Sequence, residues 1–387
     1  MMKSFQFKLF KNKRKDQKLN DELYVFCKIY NHCLCLVKRH YKIFGKNPSK
    51  NKLQKHLRVL MNRGIKPEWK SLGYSQAIQD VTDRIYKSYQ AFFAWCKKRS
   101  SEKKSPPKFK AFRKYKSFTL KQAGWKLDEE KGMIKIGKNY YRYNNSRNIE
   151  GRVKTVTIKR DQVGEWYIIL SCDLGESYKP EKVIPMTGKS AGFDFGLSCF
   201  LTSSKNEKIN SPEFLKQSLS ELKSKSKKLS TKDKGSKNRK KARKVVARLH
   251  KKIANQREDF HFKLANDLVN KYDYLFFEDL NVSGMKRVWG RKVSDLGLDQ
   301  FLKKVQFKAK EHGKTMKRID RFYPSSKTCS KCTKVKKELA LKDRHFHCNC
   351  GHQLDRDLNA ALNILIVGAS TIGLDGVSRE FALASVA

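Results

Sequence analysis

Three acidic side chains, far apart in the chain, sit in short contexts suited to metal-assisted phosphoryl chemistry. Asp194 lies in Gly192-Phe-Asp-Phe-Gly196, Glu278 ends the apolar run Tyr274-Leu-Phe-Phe277, and Asp357 lies in Asp355-Arg-Asp-Leu-Asn359. Phosphodiester hydrolysis needs an activated water and stabilisation of charge on the leaving oxygen. Two divalent ions about 3.5–4 Å apart supply both. Mg²⁺ prefers oxygen, keeps waters and needs only one or two protein carboxylates per ion. Three acids can therefore serve two Mg²⁺ ions, with no Ser, Cys or His nucleophile. Any one of these acids alone is more often structural than catalytic, so the set carries the reading. Of the two aspartates in the last motif, Asp355 is expected to cap a helix and Asp357 to bind metal. Gly196 is expected to let a substrate backbone come close.

A second constellation stands just before Asp357. Cys329-Ser-Lys-Cys332 is followed after fifteen residues by Cys348-Asn-Cys350. The spacing approaches that of a zinc ribbon, in which four thiolates close a tetrahedral site and leave no position for substrate. One structural Zn²⁺ on Cys329, Cys332, Cys348 and Cys350 is expected. The second knuckle is one residue short, and Gly351 after it can relax the turn. His345, His347 and His352 are nearby and could replace one thiolate. Gly188-Lys-Ser190 resembles the end of a phosphate-binding loop, but the glycine such a loop requires is Val183 here, and the motif is discarded.

The elements that would position these residues can be read from periodicity. Phe5, Phe7 and Leu9 alternate as in a strand. Leu19, Leu23, Phe26, Tyr30, Cys33, Val37, Tyr41 and Phe44 form a helical stripe that Gly45 stops. A second helix spans about 75–97, with Ile78, Val81, Ile85, Tyr89 and Phe92 on one face and Gln79 off it. Residues 98–117 read as a basic, proline-interrupted connector. Strands dominate from about 118 to 186, with a hairpin of Val153–Lys159 and Trp166–Cys172 around Asp161-Gln-Val-Gly-Glu165. The first strand and this region are expected to close one β-barrel, with the helices inserted between its strands. From Lys189 the pattern turns to mixed α/β. Ala191–Phe195 and Cys199–Ser203 read as strands, 213–270 as a long helical hairpin with a cationic tip, and 281–297 as a glycine-containing loop. Phe301, Val305 and Ala309 begin a helix that Gly313 ends, and Asp357 begins another. An Asp on a strand, a Glu at a strand end and an Asp on a helix, in that order, is how an RNase H-like fold gathers three carboxylates.

The chain has 387 residues and carries 87 Lys and Arg against 37 Asp and Glu, a formal net charge of +50. Such self-repulsion points to a polyanionic partner. The excess is spread along the whole chain. Lys240, Lys241, Arg243 and Lys244 extend the cationic tip of the helical hairpin and are candidate phosphate contacts. No stretch approaches the roughly 18 apolar residues of a membrane span, and the N-terminus lacks the apolar core of a signal peptide. A membrane partner is not expected and an intracellular location is. The ten cysteines then read as thiols or metal ligands.

These residues together resemble the TnpB family of bacterial and archaeal insertion sequences, relatives of type V CRISPR effectors. The resemblance rests on Gly192-Phe-Asp-Phe-Gly-Leu197, Glu278-Asp-Leu-Asn-Val282, Tyr323-Pro-Ser-Ser-Lys-Thr-Cys329-Ser-Lys-Cys332 and Asp355-Arg-Asp-Leu-Asn-Ala-Ala361. Weaker similarity extends to Arg248–Phe260, Tyr30-Asn31, Ala77-Ile-Gln79 and Ser117-Phe-Thr119. It implies a multidomain α+β and α/β protein with a wedge β-barrel (1–15 and 105–187), a helical recognition domain (16–104), an RNase H-like RuvC nuclease domain (188–321 and 353–365), an inserted zinc ribbon (322–352) and a flexible tail (366–387). It implies an RNA-guided DNA endonuclease in the cytoplasm of a bacterium or archaeon. A guide RNA from the transposon end pairs with double-stranded target DNA beside a short target-adjacent motif. A monomer is expected. By position, Gln79 and Thr119 fall where family members contact the target-adjacent duplex, although a basic neighbour used in some members is Ser75 here. The alternatives are a nuclease-inactive RNA-guided DNA-binding regulator, which the intact triad argues against, and an RNase H-like DNA transposase, which the ribbon before Asp357 disfavours.

Overall fold

The computed structural model describes residues 2–70, 72, 75–97, 105–176, 184–197, 199–340 and 343–374. The chain divides into two compact units, Met1–Tyr178 and Lys179–Ala387.

The first unit joins helices and two sheets in one core. The strand Met2–Lys8 pairs antiparallel with Trp166–Asp173, which pairs with Arg152–Arg160, which pairs with Ser117–Leu120. The turn at 161–165 is tight because Asp161 Oδ1 accepts from the N–H groups of Val163, Gly164 and Glu165. A separate antiparallel meander holds Trp125–Asp128, Met133–Ile136 and Asn139–Arg142. The strands thus form two sheets, where a single closed barrel was expected. The sheets touch where Leu9 bridges Tyr143. The helix Lys13–Phe44 starts at Asn12, whose side chain accepts from Lys15 N–H, and ends at left-handed Gly45. Leu19, Leu23, Phe26, Tyr30, Cys33 and Val37 are buried as the stripe requires, whereas Tyr41 and Phe44 are exposed. The stripe outruns the core it serves. The expected connector is described only from Ser105 onward, and residues 98–104 lie outside the described residues. Its described part is clamped by Asn31, whose side-chain amide bonds both the C=O and the N–H of Lys110 at 2.9 Å.

The second unit is built on a five-stranded sheet. Its order is Lys208–Asn210, Cys199–Ser203, Ser190–Asp194, Tyr274–Glu278, Thr315–Ile319. Adjacent strands are antiparallel among the first three and parallel among the last three. Side chains alternate between the two faces of a strand. Ala191, Phe193, Leu275 and Phe277 pack with Leu264, Leu268, Phe301 and Val305 of the helices Lys237–Lys271 and Leu298–Glu311. Phe276 packs on the opposite face with Leu362 and Leu365 of the helix Arg356–Ser370. At the edge where the parallel strands begin, Lys314 and Asp273 form an ion pair of 3.0 Å with both side chains wholly buried. Asp273 also accepts from the N–H groups of Thr187 and Gly188.

Three expectations need correction. The glycine-containing segment 281–297 is the helix Val282–Leu296, kinked at Trp289. The Asn281 side chain caps its start, left-handed Gly297 ends it, and Val293 and Leu296 are buried. The last helix continues through Ser370, so the expected tail does not begin at 366. Ile366 and Ala369 pack in the core because a helix apolar on nearly every side is buried on every side. Residues 375–387 lie outside the described residues. A third strand, Lys208–Asn210, follows the turn at 204–207 and was too short and polar to show a period. The helical hairpin is present as Leu219–Ser230 and Lys237–Lys271.

Candidate active site and cysteine metal centre

Asp194 and Glu278 are the last residues of adjacent parallel strands, with Phe193 opposite Phe277 in register. Asp194 shares a strand face with Gly192, and Glu278 shares one with Phe276. Both faces turn toward the helix Arg356–Ser370. A Cβ built on Gly192 would lie 2.3 Å from the Ala361 carbonyl oxygen and 2.4 Å from Leu365 N. The helix therefore rests directly on the strand at this glycine. Two residues further along the strand stands Asp194, and one turn back along the helix from Ala361 stands Asp357. A step of two strand residues and one helical turn cover similar distances, about 6–7 Å and about 6 Å. The contact at Gly192 thus brings Asp357 over Asp194.

The electrostatics agree with that geometry. Burial, then the charges of Asp357 and Glu278, push the Asp194 carboxyl well above the usual carboxylate range. Burial, with Asp279 beside it, raises Glu278 to about 7. Arg356 Nε lies 3.7 Å from Asp357 Oδ1, one cation among three acids. Like charges this near disfavour one another's ionised forms, and a divalent cation would relieve that repulsion. Among the described residues, only the cysteine sulfurs lie within 4.8 Å of one another as a set of possible metal-binding atoms.

Asp355 is the helix cap, as the sequence suggested. Its Oδ1 accepts from the N–H groups of Asp357 and Leu358, and its Oδ2 takes the Lys208 ammonium at 2.7 Å. Gly196 has a different role from the one expected. A Cβ there would meet the Cys199 carbonyl oxygen at 2.7 Å, so the glycine serves the turn between strands.

The four cysteines converge. The sulfurs of Cys329, Cys332, Cys348 and Cys350 all lie within 4.8 Å of one another. Cys329 and Cys350 are 3.8 Å apart, and Cys332 and Cys348 are 3.5 Å apart. Four sulfurs each about 2.3 Å from one Zn²⁺ would stand roughly 3.8 Å apart. The donor set and its spacing fit zinc. Gly351 has a φ of 82°, which permits the short second knuckle. The ring of His352 is bonded to Ser330 Oγ at 3.0 Å, and His345 and His347 are exposed. Burial raises the Cys329 thiol to about 12, whereas the backbone N–H of Lys334 brings Cys332 down to about 7.

The cysteine loop is fastened to the acid-bearing helix by residues not singled out in the sequence. Asn359 and Asn363, both fully buried, bond Ser330 N–H and the carbonyls of Thr328 and Ser325. Two asparagines four apart in an otherwise apolar helix were the available signal.

The candidate nucleic-acid contacts are placed as follows. Lys240, Lys241, Arg243 and Lys244 are exposed near the start of the helix Lys237–Lys271. Gln79 is exposed on the helix Ser75–Lys97. The Thr119 hydroxyl accepts from Arg84 Nη2 at 2.8 Å and shares a hydrogen bond with Thr157. Arg84 also bonds Asp80 and the Ser117 carbonyl, which ties the helix of Gln79 to the strand of Thr119. Among the described residues, no helix is long and apolar enough to cross a membrane.

Comparison with known proteins bears on the same residues. Residues 176–289 match the OrfB_IS605 family model, described as "Probable transposase", and residues 299–364 match that of the Cas12f1-like TNB domain. The first span holds Asp194 and Glu278, and the second holds Asp357 and the four cysteines. A "Putative RNA-guided DNA endonuclease" of Streptomyces pristinaespiralis is 37% identical over 230 residues, covering 58% of this chain and 56% of the relative's own length. The "Putative RNA-guided DNA endonuclease InsQ" of Escherichia coli K12 is 27% identical over 366 residues, covering 89% and 87%. "TnpB-like protein L79" of Acanthamoeba polyphaga mimivirus is 28% identical over 284 residues, covering 66% and 53%. A solved Cas12f1–sgRNA–target DNA complex aligns over 94% of this chain and 99% of its own, at 15% identity and a TM-score of 0.34. That likeness is too distant to carry an argument.

The second unit, which holds the acids and the cysteines, is similar to the OrfB_IS605 family over residues 176–289 and to the Cas12f1-like TNB domain over 299–364. Relatives named as TnpB-like or as putative RNA-guided DNA endonucleases resemble this chain, and the alignment with the Escherichia coli one reaches into both of those regions.

Proposed function

We propose that this protein is an RNA-guided DNA endonuclease whose second unit cuts phosphodiesters by two-metal hydrolysis. The observation that carries the reading is the convergence of Asp194, Glu278 and Asp357 at one edge of a mixed sheet, under a helix seated on Gly192. The strand order, with a central Ser190–Asp194 strand flanked by an antiparallel pair and a parallel pair, agrees with an RNase H-like, RuvC-type domain. The cysteine loop and the short hairpin His345–His347 with Gln353–Asp355 would form the inserted zinc ribbon. The first unit would supply the wedge and helical recognition domains.

Asp194, Glu278 and Asp357 would hold two Mg²⁺ ions, which supply an activated water and charge neutralisation on the leaving oxygen. The chain's own work is to bring three carboxylates near one another, at two strand ends and a helix start, in a partly buried setting. Asp355 fixes the first turn of the Asp357 helix, and Gly192 sets the depth of its seat. The ribbon would hold one structural Zn²⁺. The net charge of +50 suits a protein that grips RNA and a heteroduplex by their backbones, leaving sequence choice to base pairing. The names of the Streptomyces and Escherichia coli relatives support the guided reading. Lys240, Lys241, Arg243 and Lys244 would contact phosphates, and Gln79 and Thr119 the target-adjacent duplex.

The test is Asp194→Asn in protein purified with its bound RNA, assayed on DNA matching the guide segment of that RNA. Cleavage should fall to background while RNA content and zinc content stay at parental levels. Retained cleavage would overturn the assignment, and so would an active parent that carries no RNA.

A further inference from the structure

Beside the acids, the strand Thr315–Ile319 runs parallel to Tyr274–Glu278 with Ile319 opposite Glu278. The chain therefore leaves the sheet at the same edge as the acids. The next residues form a tightly held turn. Asp320 Oδ1 accepts from Phe322 N–H at 2.7 Å, and the Asp320 carbonyl accepts from Tyr323 N–H at 3.3 Å. Arg321 reaches back to the residue after Glu278. Its Nη2 donates to Asp279 Oδ2 at 2.6 Å, and its Nε to the Asp279 carbonyl at 3.0 Å. Arg318 Nη1 meets the other oxygen of Asp279 at 3.3 Å.

These bonds hold Phe322 outward with 87% of its surface exposed, the most exposed large apolar side chain among the described residues. It stands at the rim of an open depression of about 580 Å³ that Asp279, Arg318 and Arg321 also line. An exposed phenyl on a loose loop would need no explanation. A phenyl held out by two turn bonds and an arginine clamp, one strand from the acids, is presented to something. Locally Asp279 and Asp320 balance Arg318 and Arg321, so the polyanionic partner follows from the chain's net charge of +50 and from the neighbouring acids. A single-stranded nucleic acid offers a flat π-face for the ring.

We propose that Phe322 is a stacking platform for an unpaired nucleobase of the strand whose phosphodiester enters the site of Asp194, Glu278 and Asp357. The proposal rests on the nuclease reading above. A base in a duplex has both faces covered, so the platform acts on single-stranded DNA next to the scissile bond. Phe322 contributes binding and register and takes no part in the chemical step.

The test uses the RNA-bound protein in Mg²⁺-free buffer with a short single-stranded oligodeoxynucleotide carrying one 5-iododeoxyuridine. Long-wavelength irradiation joins that base to an aromatic ring stacked on it, and peptide mapping finds the ring. A crosslink is expected at Phe322, kept at that position in Phe322→Trp and lost in Phe322→Ala. Oligonucleotide affinity should fall about 5-fold or more in Phe322→Ala and recover in Phe322→Trp. The ring is exposed, so Phe322→Ala should keep parental zinc content and thermal stability. Crosslinks to other aromatic residues of the second unit, with Phe322→Ala binding unchanged, would overturn the platform and leave the nuclease reading intact. A parent chain that neither binds nor crosslinks the oligonucleotide would overturn both.

Discussion

Asn359 Nδ2 donates to the carbonyl of Thr328 at 2.8 Å, inside the protein, and joins the cysteine loop to the helix that carries Asp357. The same side chain accepts from Ser330 N–H at 3.1 Å. Two cysteines of the loop, Cys329 and Cys332, flank or follow these backbone groups. The ribbon and the third acid thus share one helix, with Asp357 two residues before the asparagine. Asn359→Leu keeps the branched shape and removes both bonds; the Thr328 carbonyl keeps its bond from Asn363, and the loss of the bond to Ser330 N–H costs about 1–3 kcal/mol. Thermal denaturation should report a loss of about 1–3 kcal/mol, with weaker zinc retention under competition by a chelator. Unchanged stability would show that the clamp contributes nothing.

Gly192 makes a sharper prediction. A Cβ there would strike backbone atoms of Ala361 and Leu365, which no rotamer change can move. The helix must lift from the strand, and Asp357 with it. Gly192→Ala should cost about 3 kcal/mol, at the upper end of overpacking effects, and should abolish cleavage while RNA still copurifies. Comparing it with Ala191→Gly, which loosens the other face of the same strand, separates displaced chemistry from general instability. Full activity in Gly192→Ala would contradict the seat described above.

The zinc ligands can be separated from their neighbours. Metal analysis of the purified chain should give one zinc per molecule. Cys332→Ser should lose it, and His352→Ala should retain it, because His352 is occupied with Ser330 and the four sulfurs already complete a tetrahedron. Zinc loss in His352→Ala with retention in Cys350→Ser would mean that a histidine stands in for the exposed thiolate.

Much of this was legible in the sequence for one physical reason: the informative groups were rare types in strongly patterned surroundings. Asp194, Glu278 and Asp357 were each framed by apolar strand or helix residues, so their edge positions could be read. Asp355 as a cap followed from its place before an apolar helix, and the cysteine spacing approached that of a zinc ribbon, with a histidine left open as a substitute for one thiolate. What was missed lacks a periodic signature. The strand Lys208–Asn210 is three residues long and pairs through its backbone. The helix Val282–Leu296 contains two glycines and many basic residues, and its order comes from the caps at Asn281 and Gly297 and from burial of Val293 and Leu296. The partial separation of the first unit's strands into two sheets depends on long-range pairing, which alternation alone cannot specify.

The raised carboxyl of Glu278 gives a pH dependence whose sign can be worked out. Its ordinary value of 4.5 applies to the unfolded chain, and its folded value is about 7. Between these values the folded state holds a proton that the unfolded state has lost. Stability contributed by this group is therefore highest below about pH 4.5 and falls as pH rises toward 7. In Mg²⁺-free buffer the difference in unfolding free energy between the parent and Glu278→Gln should shrink or reverse across that window, by at most about 3 kcal/mol. Glu278→Gln cannot ionise, so the comparison separates this residue, with its coupling to Asp194, from the cysteines. Adding Mg²⁺ should flatten the parent's dependence, because an ion that prefers the ionised carboxylate offsets the cost of its burial. Chemical denaturation at several pH values, with and without Mg²⁺, measures both effects. A parent and a glutamine variant that run parallel with pH in Mg²⁺-free buffer would show that Glu278 is not held in the buried, crowded setting from which its metal role is inferred.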